Sequence, residues 1–372
     1  MQLAIERSEL LKALSHVTSV VERRTTIPIL SNVLIVAGQS GLELKATDLE
    51  REVIEVVGAD VSGTGAVTVP AHMIHDIARK LPDGAQVSIA REPERERISV
   101  TSGQSRFALP ALPADDFPDL AAGDMTANFT IAAHDLKRLI EKTRFAISTE
   151  ETRYYLNGIY LHTVDSNGQM MLRAVATDGH RLAQVELESP EGASEMPGVI
   201  IPRKTVAELH RLIDGSGNDV SVSVSDTKIR FELGGVTLTS KLIDGSFPDY
   251  ARVIPLSNDK EMKISNAEFM SAVDRVSTIA SERGRAVKLS LEPNKLTLSV
   301  NNPEGGSATE ELETGYGAEA MDIGFNAKYL LDIASQLESE TAMFKLADAS
   351  APTIVFDGED ERALYVLMPM RV

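Results

Sequence analysis

Cysteine is absent from this sequence of 372 residues. Disulfide bonds, thiolate catalysis and zinc or iron–sulfur sites with cysteine ligands are therefore excluded. A chain without cysteine suits a reducing compartment, and we expect a cytoplasmic location.

Long apolar runs and targeting signals are lacking as well. No apolar stretch approaches the ~20 residues that a membrane-spanning helix requires. The first residues, MQLAIERSELLKAL, carry charges inside their apolar run and have no small-residue cleavage pattern. They do not read as a secretory signal, and we expect no membrane partner.

Positive charge is scarce, because 37 basic residues stand against 55 acidic ones and give a net charge of −18. At face value this balance argues against a nucleic-acid partner. The sequence also lacks a phosphate-binding glycine loop, a serine nucleophile elbow and an HExxH zinc motif. The common sequence signatures of an enzyme are thus missing.

The remaining composition is that of a soluble globular protein, with 43% hydrophobic and 25% charged residues. The length allows two to three domains, each with its own core.

Internal similarity gives the domain organisation. Three segments align without gaps: VPAHMIHDIARKL at 69–81, IPRKTVAELHRLI at 201–213 and FNAKYLLDIASQL at 325–337. Each has an apolar first residue, a helix-starting Pro or Asn second, and apolar residues at helical spacing. We therefore predict one equivalent helix in each of three repeats.

A second amphipathic helix precedes each of these segments. Its apolar residues follow steps of four, three and four in all three copies, as one face of a helix requires. The three faces are Leu10, Leu14, Val17 and Val21; Leu136, Ile140, Thr143 and Ile147; and Phe269, Val273, Val276 and Ala280.

Alternating runs such as LELKATD, SVSVSDTKIRFEL, KLSLEPNKLTLSV and FKLADASAPTIVF predict half-buried antiparallel strands. LPADDFPDL at 112–120 and LIDGSFPDY at 242–250 close the first two repeats. We predict an α+β fold of three repeated domains, each with two helices packed on about eight antiparallel strands. The predicted domains are 1–125, 126–254 and 255–372.

The predicted helices concentrate the positive charge. The six segments 5–24, 69–81, 130–144, 201–213, 264–285 and 325–337 hold 17 basic and 11 acidic residues, a net charge of +6 that leaves −24 for the rest. A mixed solvated face explains any one helix. A bias shared by the repeats favours contact between the helices and a phosphate backbone.

Helix dimensions relate this charge to an assembly. Helices pack about 9 Å apart, so six in a circle span only about 17 Å between axes and leave no room for a DNA duplex. Twelve helices span about 34 Å and leave a bore of about 24 Å once the helix bodies are subtracted. Two chains joined head to tail would therefore enclose a duplex.

Several motifs resemble those of the bacterial DNA polymerase III beta subunit, the sliding clamp family. They are TRYYLNG at 152–158, ATDGHRLA at 176–183, GSFPDYARVIP at 245–255 and the terminal VLMPMRV, together with the triplicated helix pair. The resemblance implies a non-catalytic processivity factor, which needs no cofactor or metal. It implies a homodimeric ring of six domains that encircles double-stranded DNA without sequence specificity.

The resemblance also implies partners and contact residues. The partners are the polymerase III catalytic subunit, an ATP-dependent clamp loader that opens the ring, and other replication and repair proteins that carry clamp-binding peptides. Arg24, Tyr154 and Tyr155 would contact DNA, although Tyr155 could equally serve ordinary strand packing. Phe107 and Leu109 of one chain would meet Thr278 and Ile279 of the other, where Thr278 replaces a more apolar residue.

In this family, ATDGHRLA forms part of a pocket for a short apolar peptide. The matching residues are Leu156, Thr177, Gly179, His180, Arg181, Leu182, Pro248, Arg252, Val253, Tyr329, Val366, Met368, Pro369 and Met370. Methionine adapts to many ligands, and Arg181 and Arg252 could pair with polar groups of a peptide. Some of the terminal side chains could instead close the core.

The first repeat reads ATDLEREV at 46–53, without the Gly and His. We expect Gly179 to permit a turn or a close approach that Leu49 would not. The third repeat has NNPEGG at 301–306, and one pocket per chain is therefore expected.

Two other kinds of function remain open at this point. An enzyme could use Asp178 and His180 as an acid–base pair, since residues two apart in a strand share a face. His72 and His75, three apart on a helix, could share a metal, although a partly exposed helical face explains them as well. A scaffold that binds only proteins would share the pocket but not the DNA.

Overall fold

The structure is a computed structural model that describes residues 1–92, 96–120, 123–214, 217, 219–281, 285–358 and 360–372. In these ranges the α-helices are α1 Arg7–Val17, α2 Ala71–Lys80, α3 Ala133–Arg144, α4 Arg203–Asp214, α5 Asn266–Ser277 and α6 Ala327–Ala334.

The strands fall into three consecutive groups along the chain. The first group is β1 Gln2–Glu6, β2 Asn32–Gly38, β3 Gly41–Thr47, β4 Arg51–Val57, β5 Asp60–Gly63, β6 Gly65–Pro70, β7 Gln86–Arg91, β8 Arg97–Ser102 and β9 Ser105–Pro110. The second is β10 Ala127–Ile131, β11 Gly158–Ser166, β12 Gln169–Thr177, β13 Arg181–Glu188, β14 Val199–Pro202, β15 Val220–Val224, β16 Lys228–Leu233 and β17 Val236–Lys241. The third is β18 Lys260–Ser265, β19 Ala286–Glu292, β20 Lys295–Asn302, β21 Gly306–Glu313, β22 Gly315–Tyr316, β23 Met321–Asn326, β24 Thr341–Leu346, β25 Thr353–Asp357 and β26 Asp360–Leu367.

The predicted fold class is confirmed: each repeat contributes two helices and antiparallel strands. All six helices are shorter than their predicted segments, α1 and α5 most of all. α1 ends at Val17, a 3₁₀ turn, Thr18–Val20, follows it, and residues 21–24 of the segment 5–24 are not helical. α5 ends at Ser277, and residues 282–284 of the segment 264–285 lie outside the described residues.

Local side chains fix where several helices begin. The Glu6 carboxylate accepts hydrogen bonds from the backbone amides of Ser8 and Glu9 ahead of α1. Ser265 caps α5 and Asn326 caps α6 in the same way. These contacts satisfy amides that have no partner within the helix.

The helical faces predicted from sequence point into the cores. Almost all of their residues are buried, and Ala280 alone among the twelve is partly exposed. No helix in the described ranges is long and apolar enough to cross a membrane.

The chain divides into two compact units. The first unit is 1–134, 190–197 and 204–242. It contains two antiparallel sheets, with strand orders β5-β1-β7-β8-β9 and β10-β15-β16-β17-β4-β3-β2-β6. The second of these sheets joins strands of the first two repeats, because β17 pairs with β4.

The second unit is 135–189, 198–203 and 243–372. Its sheets have the orders β14-β11-β12-β13-β26-β25-β24-β18-β22 and β21-β20-β19-β23. Here β13 of the second repeat pairs with β26 of the third. Sheets that cross the repeat borders explain why the second repeat is shared between the two units.

Within each unit, side-chain hydrogen bonds connect three helices or their ends. In the first unit, Ser15 of α1 contacts His75 of α2 at 3.1 Å between Oγ and Nε2, and Arg211 of α4 donates to the His16 carbonyl at 3.0 Å. In the second unit, Asn266 of α5 donates to the carbonyl of Ala334 in α6 at 3.0 Å. Lys142 of α3 donates to the carbonyl of Gln336, just after α6.

Candidate functional site

The segment ATDGHRLA forms a tight turn between β12 and β13. The Asp178 carboxylate accepts hydrogen bonds from the amides of His180 and Arg181 at 2.9 and 3.0 Å through Oδ1. The Thr177 hydroxyl donates to the Arg181 carbonyl at 2.7 Å and accepts from the Gly179 amide at 3.1 Å. Thr and Asp in this segment therefore build the turn itself.

The first repeat contains the same turn. Thr47 and Asp48 make the corresponding bonds to Leu49, Glu50 and Arg51. Leu49 has a φ of 73° and Gly179 one of 86°. The prediction that Leu49 would not permit this turn is wrong, because the hydrogen bonds of the turn hold the leucine in the left-handed region.

Gly179 gives room to a neighbouring side chain instead. A Cβ on Gly179 would lie 2.7 Å from Nη1 of Arg153. The glycine thus lets the guanidinium of Arg153 lie against the turn.

Arg181 is occupied by its own protein. Its side chain is only 6% exposed and forms ion pairs with Asp332 at 2.5 Å and Asp178 at 3.2 Å. It also donates to the Phe145 carbonyl at 2.7 Å, and its guanidinium carbon lies 4.4 Å from the ring centre of Tyr329. We expected Arg181 to pair with a bound peptide, but its donors are already bonded within the chain.

Asp332 forms ion pairs with both Lys328 and Arg181, and these pairs shift its pKa. Burial alone would raise the pKa of this carboxyl, but hydrogen bonds from Lys328 and Arg181 outweigh burial and lower the pKa below its ordinary value. The buried guanidinium therefore faces an ionised partner at neutral pH.

A cavity of about 150 Å³ opens beside this turn in the second unit. Its lining is Leu156, Thr177, Gly179, Arg181, Leu182, Pro248, Asp249, Tyr250, Val253, Val366 and Met368. Nine of these eleven residues are ones that the sequence analysis named for the peptide pocket. Asp249 and Tyr250 were missed, although the motif FPDY contains both.

The other five residues named for the pocket lie outside this lining. His180 is exposed and stacks on Tyr329 with ring centres 6.1 Å apart. Arg252 is 84% exposed and pairs with Asp249 at 2.7 Å. Pro369 and Met370 line another cleft, of about 520 Å³, where the Met370 amide donates to the Gly324 carbonyl at 2.7 Å.

The cavity floor is apolar. Leu182 and Val366 pair across β13 and β26 and form a buried cluster with Val175. Phe247 and Tyr250 pack against this cluster. Such a concave apolar floor with a few polar groups at its rim suits a small apolar ligand or peptide side chain.

A polar network behind Tyr250 holds the wall of the cavity. The Tyr250 hydroxyl lies 2.9 Å from Nε2 of His162 and accepts from Nη1 of Arg173 at 3.1 Å. Arg173 also pairs with Glu186 at 2.6 Å. Sequence reasoning missed His162 and Arg173, since no motif marks two residues whose role depends on a tyrosine some 80 positions later.

Burial lowers the pKa of His162, and the nearby charge of Arg173 lowers it further, although a hydrogen bond with the Thr163 carbonyl opposes both. Burial alone would lower the pKa of Arg173, but hydrogen bonds to Tyr250 and Glu186 outweigh burial and raise it. Neutral His162 can accept the Tyr250 proton through Nε2 while Nδ1 donates to the Thr163 carbonyl.

The acid–base hypothesis for Asp178 and His180 finds no support in this geometry. Both lie in the turn rather than in a strand, and the Asp178 oxygens are bonded to backbone amides and to Arg181. His72 and His75 contact the Val21 carbonyl and the Ser15 hydroxyl. In the part of the chain that the structure describes, no group of three or more His, Cys, Asp or Glu side chains could hold a metal ion.

The residues named for DNA contact lie on loops and short turns. Arg24 is exposed after the 3₁₀ turn that follows α1. Tyr154 is 54% exposed and meets Tyr155 edge to face at 5.7 Å, within a 3₁₀ helix, Glu151–Leu156. Tyr155 therefore lies in a 3₁₀ helix and does not pack as part of a strand.

Six exposed cations in or next to helices of the described ranges form no ion pair or side-chain hydrogen bond there. They are Lys12, Arg23, Arg24, Lys80, Arg144 and Arg203. Of these six, only Arg24 was expected from the family resemblance, and a count of charges in the sequence does not show which cations are already paired.

The residues named for the joint between chains lie on an edge strand and at the end of a helix. Phe107 and Leu109 belong to β9, the last strand of the five-stranded sheet. Phe107 is partly exposed, whereas Leu109 is buried within its own unit. Thr278 is exposed at the end of α5, and the Ile279 carbonyl accepts from Asn302 beside the β20–β21 hairpin.

Comparison with known proteins covers the whole chain. Family models described as the N-terminal, central and C-terminal domains of the DNA polymerase III beta subunit match residues 1–121, 130–249 and 251–371. The beta sliding clamp of Caulobacter vibrioides (strain NA1000 / CB15N) is 53% identical over 372 residues, 100% of both chains. The beta sliding clamp of Escherichia coli (strain K12) is 40% identical over 375 residues, again 100% of both chains.

Solved structures agree with these relatives. The beta sliding clamp of Caulobacter crescentus with PEG bound has a TM-score of 0.98 and 53% identity, with 100% of this chain and 99% of that chain covered. A sliding clamp from Bartonella birtlesii bound to griselimycin has a TM-score of 0.97 and 52% identity over 100% of both chains.

Proposed function

Because the chain belongs to the DNA polymerase III beta subunit family and is a DNA sliding clamp, we propose that two copies close head to tail into a ring around duplex DNA. The observation that carries the proposal is the triplicated unit, matched along the full chain by three consecutive clamp domain models. We propose the three domains as 1–125, 126–254 and 255–372. The ring holds polymerase on DNA by topology, without catalysis and without a cofactor.

The exposed cations supply the contact with DNA. Six of these cations have no ion pair within the described residues, so each is available to a phosphate. They are Lys12, Arg23, Arg24, Lys80, Arg144 and Arg203. Tyr154 and Tyr155 add a partly exposed aromatic pair. Contacts to phosphate carry no sequence information, and a ring held only by such contacts can slide.

The joints form between sheet edges. β9 ends one sheet of the first unit, and β21 ends the four-stranded sheet of the second. Unpaired edge strands present free backbone donors and acceptors. In the proposed joint, Phe107 of one chain packs against Ile279 and Thr278 of the other, while Leu109 supports β9 from inside its own core.

The cavity beside the 178–180 turn takes the clamp-binding peptides of client proteins. Its apolar floor suits apolar side chains, and the exposed Arg252 is placed at its rim beside Asp249, where a polar group of the peptide can reach it. His180, Tyr329, Pro369 and Met370 would extend the contact beyond the cavity. The proposed clients are the polymerase III catalytic subunit, the clamp loader that opens the ring, and other replication and repair proteins in the cytoplasm.

The decisive experiment loads the protein onto a nicked circular plasmid with its clamp loader and ATP, and separates bound from free protein by gel filtration. The ring should stay with the circle and leave after the circle is cut once. Mass in solution, measured beside it, should correspond to two chains. A stable monomer, or equal retention on circular and linear DNA, would refute the ring.

A further inference from the structure

The two repeat borders contain equivalent structural positions. At the border in the second unit, Leu182 of β13 pairs with Val366 of β26. At the border in the first unit, Glu52 of β4 pairs with Thr239 of β17. The shared ATD turns place Glu52 where Leu182 stands, because each residue comes five positions after the Thr of its turn.

The chemistry at these positions differs completely. In the second unit, Val175, Leu182 and Val366 form the apolar cluster under the cavity. The equivalent residues of the first unit are Lys45, Glu52 and Thr239, all of them buried. Lys45, Glu52 and Thr239 thus form a polar floor at the first border, at the positions where the second border has an apolar floor.

The polar floor is joined to the segment that covers it. Nζ of Lys45 lies 2.9 Å from Glu52 and 2.6 Å from Asp119, and the Glu52 carboxylate accepts from the Leu120 amide at 3.1 Å. Asp119 and Leu120 belong to FPDL, the counterpart of FPDY with Asp249 and Tyr250. Burial alone would lower the pKa of Lys45, but hydrogen bonds to Asp119 and Glu52 outweigh it and raise the pKa.

We propose that the cluster of Lys45, Glu52 and Asp119 closes the first border against apolar peptides and so limits each chain to one client pocket. A peptide that entered there would have to separate a buried ion pair, and an unpaired buried charge is strongly unfavourable. Its apolar side chains would also meet charged groups rather than Val and Leu. The proposal rests on the proposed function of the second border as the client pocket.

The first test replaces the polar floor by its apolar counterpart in the full chain, as Lys45→Val, Glu52→Leu and Thr239→Val together. Griselimycin, which is bound to the Bartonella birtlesii relative, serves as the probe in isothermal titration. The wild-type chain should bind one molecule, and the triple variant two. A folded triple variant that still binds one molecule overturns the proposal.

The reverse test transfers the ion pair to the second border, as Val175→Lys with Leu182→Glu, where Asp249 replaces Asp119. We expect affinity for griselimycin to fall about 100-fold, equivalent to about 2.8 kcal/mol at 1.4 kcal/mol per tenfold. The double variant should melt at a higher temperature than Val175→Lys alone, because the new lysine then has a partner. The proposal is overturned if the double variant binds griselimycin within threefold of the wild-type affinity, or if it melts no higher than Val175→Lys. This test stands by itself if the triple variant does not fold.

The outcomes separate the two proposals. Griselimycin that binds the wild-type chain but is not displaced by a client peptide would contradict the proposed client pocket itself. A wild-type chain that binds one molecule, with variants that change neither stoichiometry nor affinity, leaves the client pocket in place and removes only the role of the ion pair.

Discussion

Nε2 of His162 lies 2.9 Å from the hydroxyl oxygen of Tyr250. Tyr250 in turn lines the cavity beside the 178–180 turn. The contact joins β11 to the wall of the cavity across 88 positions of sequence. A protonated His162 would carry a hydrogen on Nε2 and would no longer accept the Tyr250 proton. The direction of this hydrogen bond is therefore linked to the ionisation of one histidine.

We expect stability to depend on pH through His162. Its pKa in the folded protein is lowered by burial, so the unfolded chain binds a proton more readily. Above about pH 6.5, the ordinary pKa of histidine, the neutral ring contributes its full share to the free energy of unfolding. This share decreases as the pH falls from about 6.5 to the lowered pKa of the folded protein. Thermal unfolding between pH 5 and 8 should show a smaller pH dependence for His162→Gln than for wild type.

His75 contributes in the same direction, because burial also lowers its pKa. His162→Gln should therefore keep part of the slope, and a second change, His75→Gln, should remove more of it. Identical slopes for wild type and His162→Gln would contradict the linkage.

Arg181 and Arg252 should respond oppositely to replacement by alanine. Arg181→Ala leaves Asp332 and Asp178 without their buried partner and should lower the free energy of unfolding by about 3 kcal/mol. Arg252 is 84% exposed, so Arg252→Ala should change stability by no more than about 0.5 kcal/mol but weaken peptide binding. Urea unfolding and peptide titration of the two variants would separate a structural arginine from a ligand-binding one; similar losses of stability would contradict this assignment.

Gly179→Ala tests the approach of Arg153. Gly84 has a comparable φ of 72° with no atom near the added methyl group, so Gly84→Ala is the matched control. Both changes should cost about 1 kcal/mol for an alanine in the left-handed region. Gly179→Ala should also displace Arg153 and weaken peptide binding, which Gly84→Ala leaves unchanged.

Thr278→Leu should strengthen the ring. Thr278 is exposed at the end of α5, and a leucine there would add apolar area to the proposed joint. Sedimentation at decreasing concentration should show a lower dissociation constant for the Leu variant and a higher one for Ile279→Lys. Unchanged dissociation in both variants would place the joint elsewhere.

The unpaired cations should determine the salt dependence of DNA binding. Arg24→Ala should reduce the slope of log affinity against log salt by about 1, the amount expected for one lost phosphate contact. Lys295 is a matched control, since it is paired with Glu292 and Glu311. Lys295→Ala should leave the slope unchanged, and equal slopes for Arg24→Ala and wild type would exclude Arg24 from the contact.

Several features of the fold could be predicted from sequence because they depend on neighbours in the chain. The helical faces around Leu14, Ile140 and Val273 follow from spacing alone, and the structure buries them. The strands follow from alternation in the same way. Nine cavity residues could be named because the motifs TRYYLNG, ATDGHRLA, GSFPDYARVIP and VLMPMRV resemble those of the sliding clamp family.

Sequence reasoning failed where conformation depends on hydrogen bonds. Leu49 adopts the same left-handed turn as Gly179, since Thr47 and Asp48 bond the turn in place. A rule about glycine alone could not anticipate that compensation. The role of Gly179 became clear only from the position of Arg153.

The sequence by itself determined three repeats and six amphipathic helices, because the apolar spacing that marks each helix lies within a few positions of the chain. Only the tertiary structure decided that Arg181 binds Asp332, that His162 holds Tyr250, and that Leu182 faces Val366 while Glu52 faces Thr239. The physical reason is that periodicity specifies which face of a strand or helix is buried but not which distant strand covers it. That partner is selected by the packing of the whole unit, and with it the polar or apolar character of each floor.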